Sequence, residues 1–284
     1  MKILVHLHVF YHDQVPWFLE SFRSLKGRDW DLVVTECAPH AQTEKLVRSV
    51  KPDARFVLVE NRGYDVWPFL YLLSTEDWTG YDVVFKLHTK HITGSKVVHL
   101  NHLHLKGSQW RDLLVEALLG SEAQVQEILQ LFQDRPEVGM VCAGKLYTRL
   151  HFPEDEELLE AELERLGLRT EERRFCSGTM MAFRPGVLQV LRGRSFCADM
   201  FPEESPTDGK ATMAHVYERV LSLLAPAQGF AVVTTGEDAA YRRRQWRKKH
   251  LQGALSWVFS IDNSGPHHEK MLTVLGLKFK IGVK

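Results

Sequence analysis

Tyr81-Asp-Val-Val-Phe-Lys-Leu-His-Thr-Lys90 is a short β-branched and aromatic run that stops at three polar residues, His88, Thr89 and Lys90. It is too short for a helix and bounded by polar residues, so residues 82–87 read as a buried strand. Three comparable runs precede it, at residues 3–10, 31–35 and 55–60. Between them, residues 15–25 and 43–50 carry apolar side chains at helical spacing. Strand alternating with helix predicts parallel strands joined by right-handed crossovers, so the expected class is α/β, a Rossmann-type, mostly parallel sheet flanked by helices. Farther along, residues 110–132 read as helical, with Gly120 ending one helix and Ser121 capping the next. Strands are expected at 138–143, 175–183 and 230–235. Helices are expected at 154–166, 185–191 and 211–224.

Composition narrows the function classes. The 284 residues hold 36 Lys and Arg against 36 Asp and Glu. A whole-chain nucleic-acid binder would be strongly basic, so none is expected. Hydrophobic residues at 44% and charged residues at 25% are globular values and exclude whole-chain disorder. No apolar run approaches the roughly 18 residues of a membrane span, and His6 and His8 interrupt the first one where a signal peptide needs apolar residues. A cytoplasmic location is expected. The cysteines Cys37, Cys142, Cys176 and Cys197 form no Cys-x-x-Cys pair and read as reduced, buried thiols. Residues 241–284 carry ten Lys and Arg against two acids, a basic C-terminal extension behind an acidic body.

Ligands of parallel sheets sit beyond the carboxyl ends of the strands. Tyr11-His-Asp13, Glu36-Cys37, Asn61-Arg-Gly-Tyr-Asp65 and His88-Thr-Lys90 occupy those places. In Glu60-Asn-Arg-Gly-Tyr-Asp65, Gly63 allows a tight turn that Asn61 can hold. Arg62 can grip a phosphate, and Asp65 can bind a ribose, sugar or metal or merely cap the apolar helix at 66–73. Lys86 and His88 share a strand face that Lys90 would extend, and cations there suit a diphosphate leaving group. The plainer alternative is an edge-strand face with solvated lysines. In Phe175-Cys-Ser-Gly-Thr-Met-Met-Ala-Phe, Gly178 lets a ligand approach the backbone. The loop carboxylates Glu203, Glu204 and Asp208 could supply a general base, or be solvated or cap a helix. Glu218 and Arg219, adjacent on a helix, read as separate anchors. His6-x-His8, and His99, His102 and His104 on a loop, suggest a metal, but no matching downstream ligand set is evident.

In this order the motifs resemble the rhamnan synthesis protein F family of bacterial surface-polysaccharide glycosyltransferases. The resemblance rests on His6-Leu-His-Val-Phe-Tyr, Glu60-Asn-Arg-Gly-Tyr-Asp65 with Pro68-Phe69, and Lys86-Leu-His-Thr-Lys90. It continues in Trp110-Arg111, Leu118-Leu-Gly-Ser121, Gly178-Thr-Met180, Arg184-Pro185, Phe201-Pro-Glu203, Asp208-Gly209, Ala214-His215 and Glu218-Arg219. It implies a GT-A-like fold in residues 1–240, with a nucleotide-sugar half near 1–109, an acceptor half near 110–240 and the basic extension from 241. It further implies inverting transfer of a deoxysugar such as rhamnose from a nucleoside-diphosphate sugar to a glycan or lipid-linked glycan.

Candidate donor-binding residues are His8, Tyr11, Glu36, Asn61, Arg62, Gly63, Asp65, Lys86, His88, Thr89 and Lys90. Gly178, Thr179, Glu203, His215 and Arg219 are candidates for the acceptor, with Asp208 and then Glu204 as the base. Where many GT-A enzymes place Asp-x-Asp, this chain reads His88-Thr-Lys90, so fixed cations are expected in place of a tightly held metal, with Mg or Mn still open. Arg242-Arg-Arg-Gln-Trp-Arg-Lys-Lys249 suits an anionic membrane surface or is a solvated helix end. Two rival readings are a catalytically silent glycan- or nucleotide-binding domain and a His-x-His metallohydrolase.

Overall fold

The computed structural model describes residues 1–92, 98–100, 103–149, 153–201, 212–236, 259–262, 271–274 and 277–280. Met1–Gly236 form one compact unit and Glu237–Lys284 a second. In the first, β1 (Lys2–Val9), α1 (Val15–Ser21), β2 (Asp29–Glu36), α2 (Ala41–Val50), β3 (Arg55–Leu58), α3 (Val66–Thr75) and β4 (Val83–His88) follow the expected alternation. Then come a hairpin, β5 (Val98–Leu100) and β6 (Leu103–Leu105), and the helices α4 (Gly107–Leu119) and α5 (Glu122–Asp134). β7 (Val138–Ala143), β8 (Tyr147–Thr148), α6 (Pro153–Arg165), β9 (Phe175–Cys176), β10 (Met181–Phe183), α7 (Pro185–Leu188), α8 (Met213–Ala227) and β11 (Ala231–Thr235) complete the unit.

Seven strands form the main sheet in the order β11-β7-β10-β4-β1-β2-β3. All run parallel except β10, which is antiparallel to both neighbours. The mostly parallel sheet flanked by helices is the arrangement expected; the reversed β10 was not. Ile3 to Val9 of β1 and all six residues of β4 are buried, as in a sheet covered on both faces. α3 is apolar around its circumference and correspondingly buried; Pro68 is accommodated in its first turn, where no intrahelical N–H is needed. Gly120 ends α4, and Ser121 caps α5 by accepting from Gln124 N at 3.0 Å.

The expected single strand at 175–183 is instead two strands in different sheets, because Gly178 (φ +98°) and Thr179 (φ +48°) turn the chain between them. The loop expected to carry His99, His102 and His104 contains a hairpin that pairs His99 with His104; His102 lies outside the described residues. None of the four cysteines is in a disulfide, but Cys197 is exposed and Cys37 half-buried; only Cys142 and Cys176 are buried. The second unit holds a three-stranded antiparallel sheet, β12 (Phe259–Asp262), β13 (Met271–Val274) and β14 (Leu277–Lys280), where the sequence suggested only a basic tail. Among the described residues no helix is long and apolar enough to cross a membrane.

Candidate functional site

Strand pairing assembles the site. His8 of β1 lies opposite His88 of β4 on one side and Thr35 of β2 on the other. Because β10 runs backwards, its first residue, Met181, pairs with Lys86. The turn just before it, Gly178-Thr179, therefore reaches the carboxyl end of β4. Motifs ninety residues apart in sequence meet there.

The centre of this junction is a buried ion pair. The fully buried Lys86 ammonium donates to Asp65 Oδ2 and, at 3.0 Å, to Thr179 O. Thr179 Oγ1 donates to the same Asp65 oxygen at 2.6 Å. Burial works against the Asp65 charge, but His88, Lys86 and the Thr179 hydroxyl outweigh it and hold the carboxyl well below its usual range. Asp65 begins α3 yet makes no side-chain cap, so it serves Lys86 and not the helix. Gly63 and Tyr64 before it and Gly178 and Thr179 across from it all have positive φ, at +60°, +55°, +98° and +48°. Two non-glycine residues in that region, both flanking one ion pair, are strain concentrated at a site.

The other strand-end residues are engaged in different ways. His88 Nε2–H donates to Gly178 O at 2.8 Å, and Nδ1 lies 3.7 Å from Asp65 Oδ1. Nδ1 also lies 3.1 Å from Thr89 O, and burial, aided by Lys90 and Lys86 against Asp65, pushes the ring's pKa down to about 4. Thr89 Oγ1 accepts from Phe10 N and Tyr11 N at 2.9 and 3.0 Å and holds the exit of β1. His6 Nε2 and His8 Nδ1 both meet Thr35 Oγ1, at 2.8 and 3.0 Å. Burial lowers both rings, His8 to about 3. Among the described residues no three His, Cys, Asp or Glu side chains are grouped as a metal would need.

Lys90 differs from Lys86. Its peptide is clamped by Gln14, whose amide accepts from Lys90 N at 3.2 Å and donates to Lys90 O at 2.5 Å. Its half-buried ammonium lies 3.5 Å from the centre of the Trp110 ring and has no ion-pair partner among the described residues. Burial lowers its pKa. At the end of β2, Glu36 is buried with Oε2 unpartnered, and burial raises its carboxyl. Half-buried Arg62 lies 3.4 Å from Glu60 and 3.3 Å from Asp199, while Asn61 is exposed and Tyr11 packs against His91. The Gly63 position leaves no room for a Cβ, which would stand 2.8 Å from Phe201. His215 approaches Tyr64 at 5.9 Å between ring centres, and Arg219 lies over Phe175 at 5.3 Å. Glu203, Glu204 and Asp208 lie outside the described residues, as does the segment from Arg242 to Lys249.

Sequence reasoning missed the places of Gln14, Thr35 and Trp110 in this cluster. A glycine inside a strand-like run was the available signal for the turn at 178; nothing local announced the other three.

Fold and site define an α/β protein with a mostly parallel sheet and a polar cluster closing its central strands. Rhamnan synthesis protein F matches residues 1–230, and the chain belongs to that family. The uncharacterized protein WxcX of Xanthomonas campestris pv. campestris is 28% identical in one strain and 27% in another, over 245 residues. That alignment covers 81% of this chain but 32% of WxcX, so the chain spans about a third of the curated relatives it matches. Among solved structures, Staphylococcus aureus TarS 1–349 in complex with UDP is 11% identical with TM-score 0.44, covering 84% of this chain and 59% of that one. Glucosyl-3-phosphoglycerate synthase from Mycobacterium tuberculosis is 14% identical with TM-score 0.41, covering 92% and 83%.

Proposed function

We propose that this chain binds a nucleoside-diphosphate sugar at the carboxyl ends of β1, β2 and β4 and transfers the sugar, rhamnose or a related deoxysugar, to a glycan. The observation that carries this reading is Lys90: an ammonium without a counterion among the described residues, its peptide fixed by Gln14 and its charge resting on Trp110, beside the end of the central strand. A fixed cation there can stabilise charge developing on a departing diphosphate. The unpartnered Glu36 Oε2 would accept a hydrogen bond from a ribose hydroxyl, and Arg62 would approach a phosphate. A divalent metal fits this donor set poorly: the two positions of an Asp-x-Asp hold an imidazole bonded to Gly178 O and an ammonium, and Asp65 is committed to Lys86.

In an inverting displacement the acceptor oxygen attacks the anomeric carbon opposite the diphosphate, so a base is needed on the acceptor side. The cations from Arg242 to Lys249 would draw this chemistry to an anionic bilayer carrying a lipid-linked acceptor, worth about 1 kcal/mol each near the surface.

A thermal-shift panel of dTDP-, UDP- and GDP-sugars tests the donor, since a ligand selective for the native state raises its stability. Lys90→Ala is expected to lower transfer about 10²-fold or more with little change in melting temperature. Full activity in Lys90→Ala would remove the fixed-cation reading. A requirement for manganese or magnesium, lost in chelator, would remove the metal-free one.

A further inference from the structure

α8 brings a second chemical group to the end of β4. His215, Glu218 and Ser222 recur at spacings of three and four, so they share one helix face. Both outer members of that face have defined contacts. His215 packs on Tyr64, the neighbour of Asp65, and Ser222 Oγ accepts from Cys176 N at 3.0 Å, just before the Gly178 turn. Glu218 lies between them, on the face turned toward the Asp65 loop and the end of β4, whose Asp65, Lys86 and Lys90 act on its charge.

The charged and titratable groups around it are Lys86, His88 and Lys90 from β4 and its exit, Asp65 ahead of α3, Cys176 from β9, and His215 and Arg219 on its own helix. The Glu218 side chain is half-buried, and its carboxylate has no hydrogen bond or ion pair among the described residues. This is unusual for a structural acid, because an enclosed carboxylate without a partner is costly. The contrast lies one residue away: Tyr217, on another face of α8, donates to Glu162, which Arg165 also grips through two nitrogens. Burial first, then Asp65, push the Glu218 carboxyl up to about 7 against Lys90, Arg219 and Lys86. A group poised there is partly ionised at neutral pH and still basic enough to take a proton.

We propose that Glu218 is a catalytic residue, the base that removes the acceptor's hydroxyl proton during transfer. The assignment rests on the nucleotide-sugar reading of the same site. The acceptor oxygen forms its bond to the anomeric carbon while its proton passes to the Glu218 carboxylate. The bond from that carbon to the diphosphate oxygen breaks, and its electron pair leaves on the diphosphate, facing the Lys90 ammonium. Asp208 and Glu204 are the competing bases.

The test uses the full chain with dTDP-, UDP- and GDP-sugars and an alkyl glycoside acceptor, reading donor binding by thermal shift and turnover by nucleoside-diphosphate release. Glu218→Gln is expected to keep the donor-dependent shift, to slow turnover by about 10²-fold or more, and to lose a rise in kcat with pH centred near 7. Glu218→Asp should keep part of the rate and of the pH dependence.

The folded carboxyl binds its proton more tightly than the usual range near 4.5, so native stability falls as pH rises from about 4.5 to about 7. Glu218→Gln should therefore melt higher than wild type at pH 8, by a margin that shrinks at pH 5, whatever its activity. Turnover within about threefold of wild type, or an unaltered pH limb, would overturn the assignment, as would loss of turnover in Asp208→Asn alone. No donor-dependent shift in the wild type would overturn the donor reading itself, and this assignment with it.

Discussion

Lys86 and Lys90 stand four residues apart at the end of one strand, and they have opposite fates. Lys86 is sealed, ion-paired to Asp65 and bonded to Thr179 O, so its charge is cancelled inside the fold. Lys90 is half-buried, rests on Trp110 and has no counterion among the described residues. The inner lysine joins the Asp65 loop to the Thr179 turn, and the outer one meets no acid among the described residues. Spacing alone assigns both to a diphosphate; burial and partnership separate them. The largest expected effect follows from the inner pair. Lys86→Met leaves a buried Asp65 carboxylate uncompensated and should cost about 3–5 kcal/mol in denaturant unfolding. Adding Asp65→Asn to that variant should recover part of the loss, because the orphaned charge is gone. A Lys86→Met chain with wild-type stability would erase the distinction between the two lysines.

The turn that delivers Thr179 to the inner pair gives the next effect. Gly178 has φ +98°, and a Cβ on it would stand 2.7 Å from Leu114 Cδ1 and 2.8 Å from Trp110 Nε1. Gly178→Ala should destabilise by about 2 kcal/mol through strain and displacement of Trp110. It should also disturb Lys90, since Trp110 is the ring under its ammonium and donates to Ser177 O at 3.1 Å. Tryptophan fluorescence and donor affinity should therefore change along with stability. A change in stability alone would mean that inner and outer regions are independent.

Much of this was legible in the sequence, for identifiable reasons. β1 to β4 and the helices between them announce themselves because a buried parallel strand is a continuous apolar run. The strand-end motifs follow from the sheet geometry. β10 was not legible: its three residues, Met181–Phe183, read as the tail of a longer run, and nothing local in Met-Ala-Phe encodes antiparallel insertion between β4 and β7. That insertion converts Thr179 from a distant residue into a partner of Asp65. The charge states were hidden for the same reason, since a histidine at a strand end is cationic or neutral according to neighbours that only the fold supplies. Glu218 read as an anchor because its lack of a partner among the described residues is a three-dimensional fact.

The smallest effect belongs to the histidines beside the inner pair, and it tests whether the sealed region depends on neutral rings. Thr35 has one hydroxyl proton to give to one of His6 Nε2 and His8 Nδ1 while it accepts from the other, and the ring that takes that proton's hydrogen bond must be uncharged. Their folded pKa values lie below the unfolded value near 6.5, His8 at about 3, because burial penalises the cation. Below pH 6.5 the unfolded chain therefore binds more protons, and stability falls steadily as the pH drops toward 3. Thr35→Val should cost about 1 kcal/mol at pH 7 by leaving the imidazoles without their shared partner. His8→Gln should flatten the decline between pH 6.5 and 4, measured by urea unfolding at several pH values. The remaining slope should then come from His6 and His88, the latter titrating near 4 in the fold. An undiminished slope in His8→Gln would show that the His8 ring does not carry the decline.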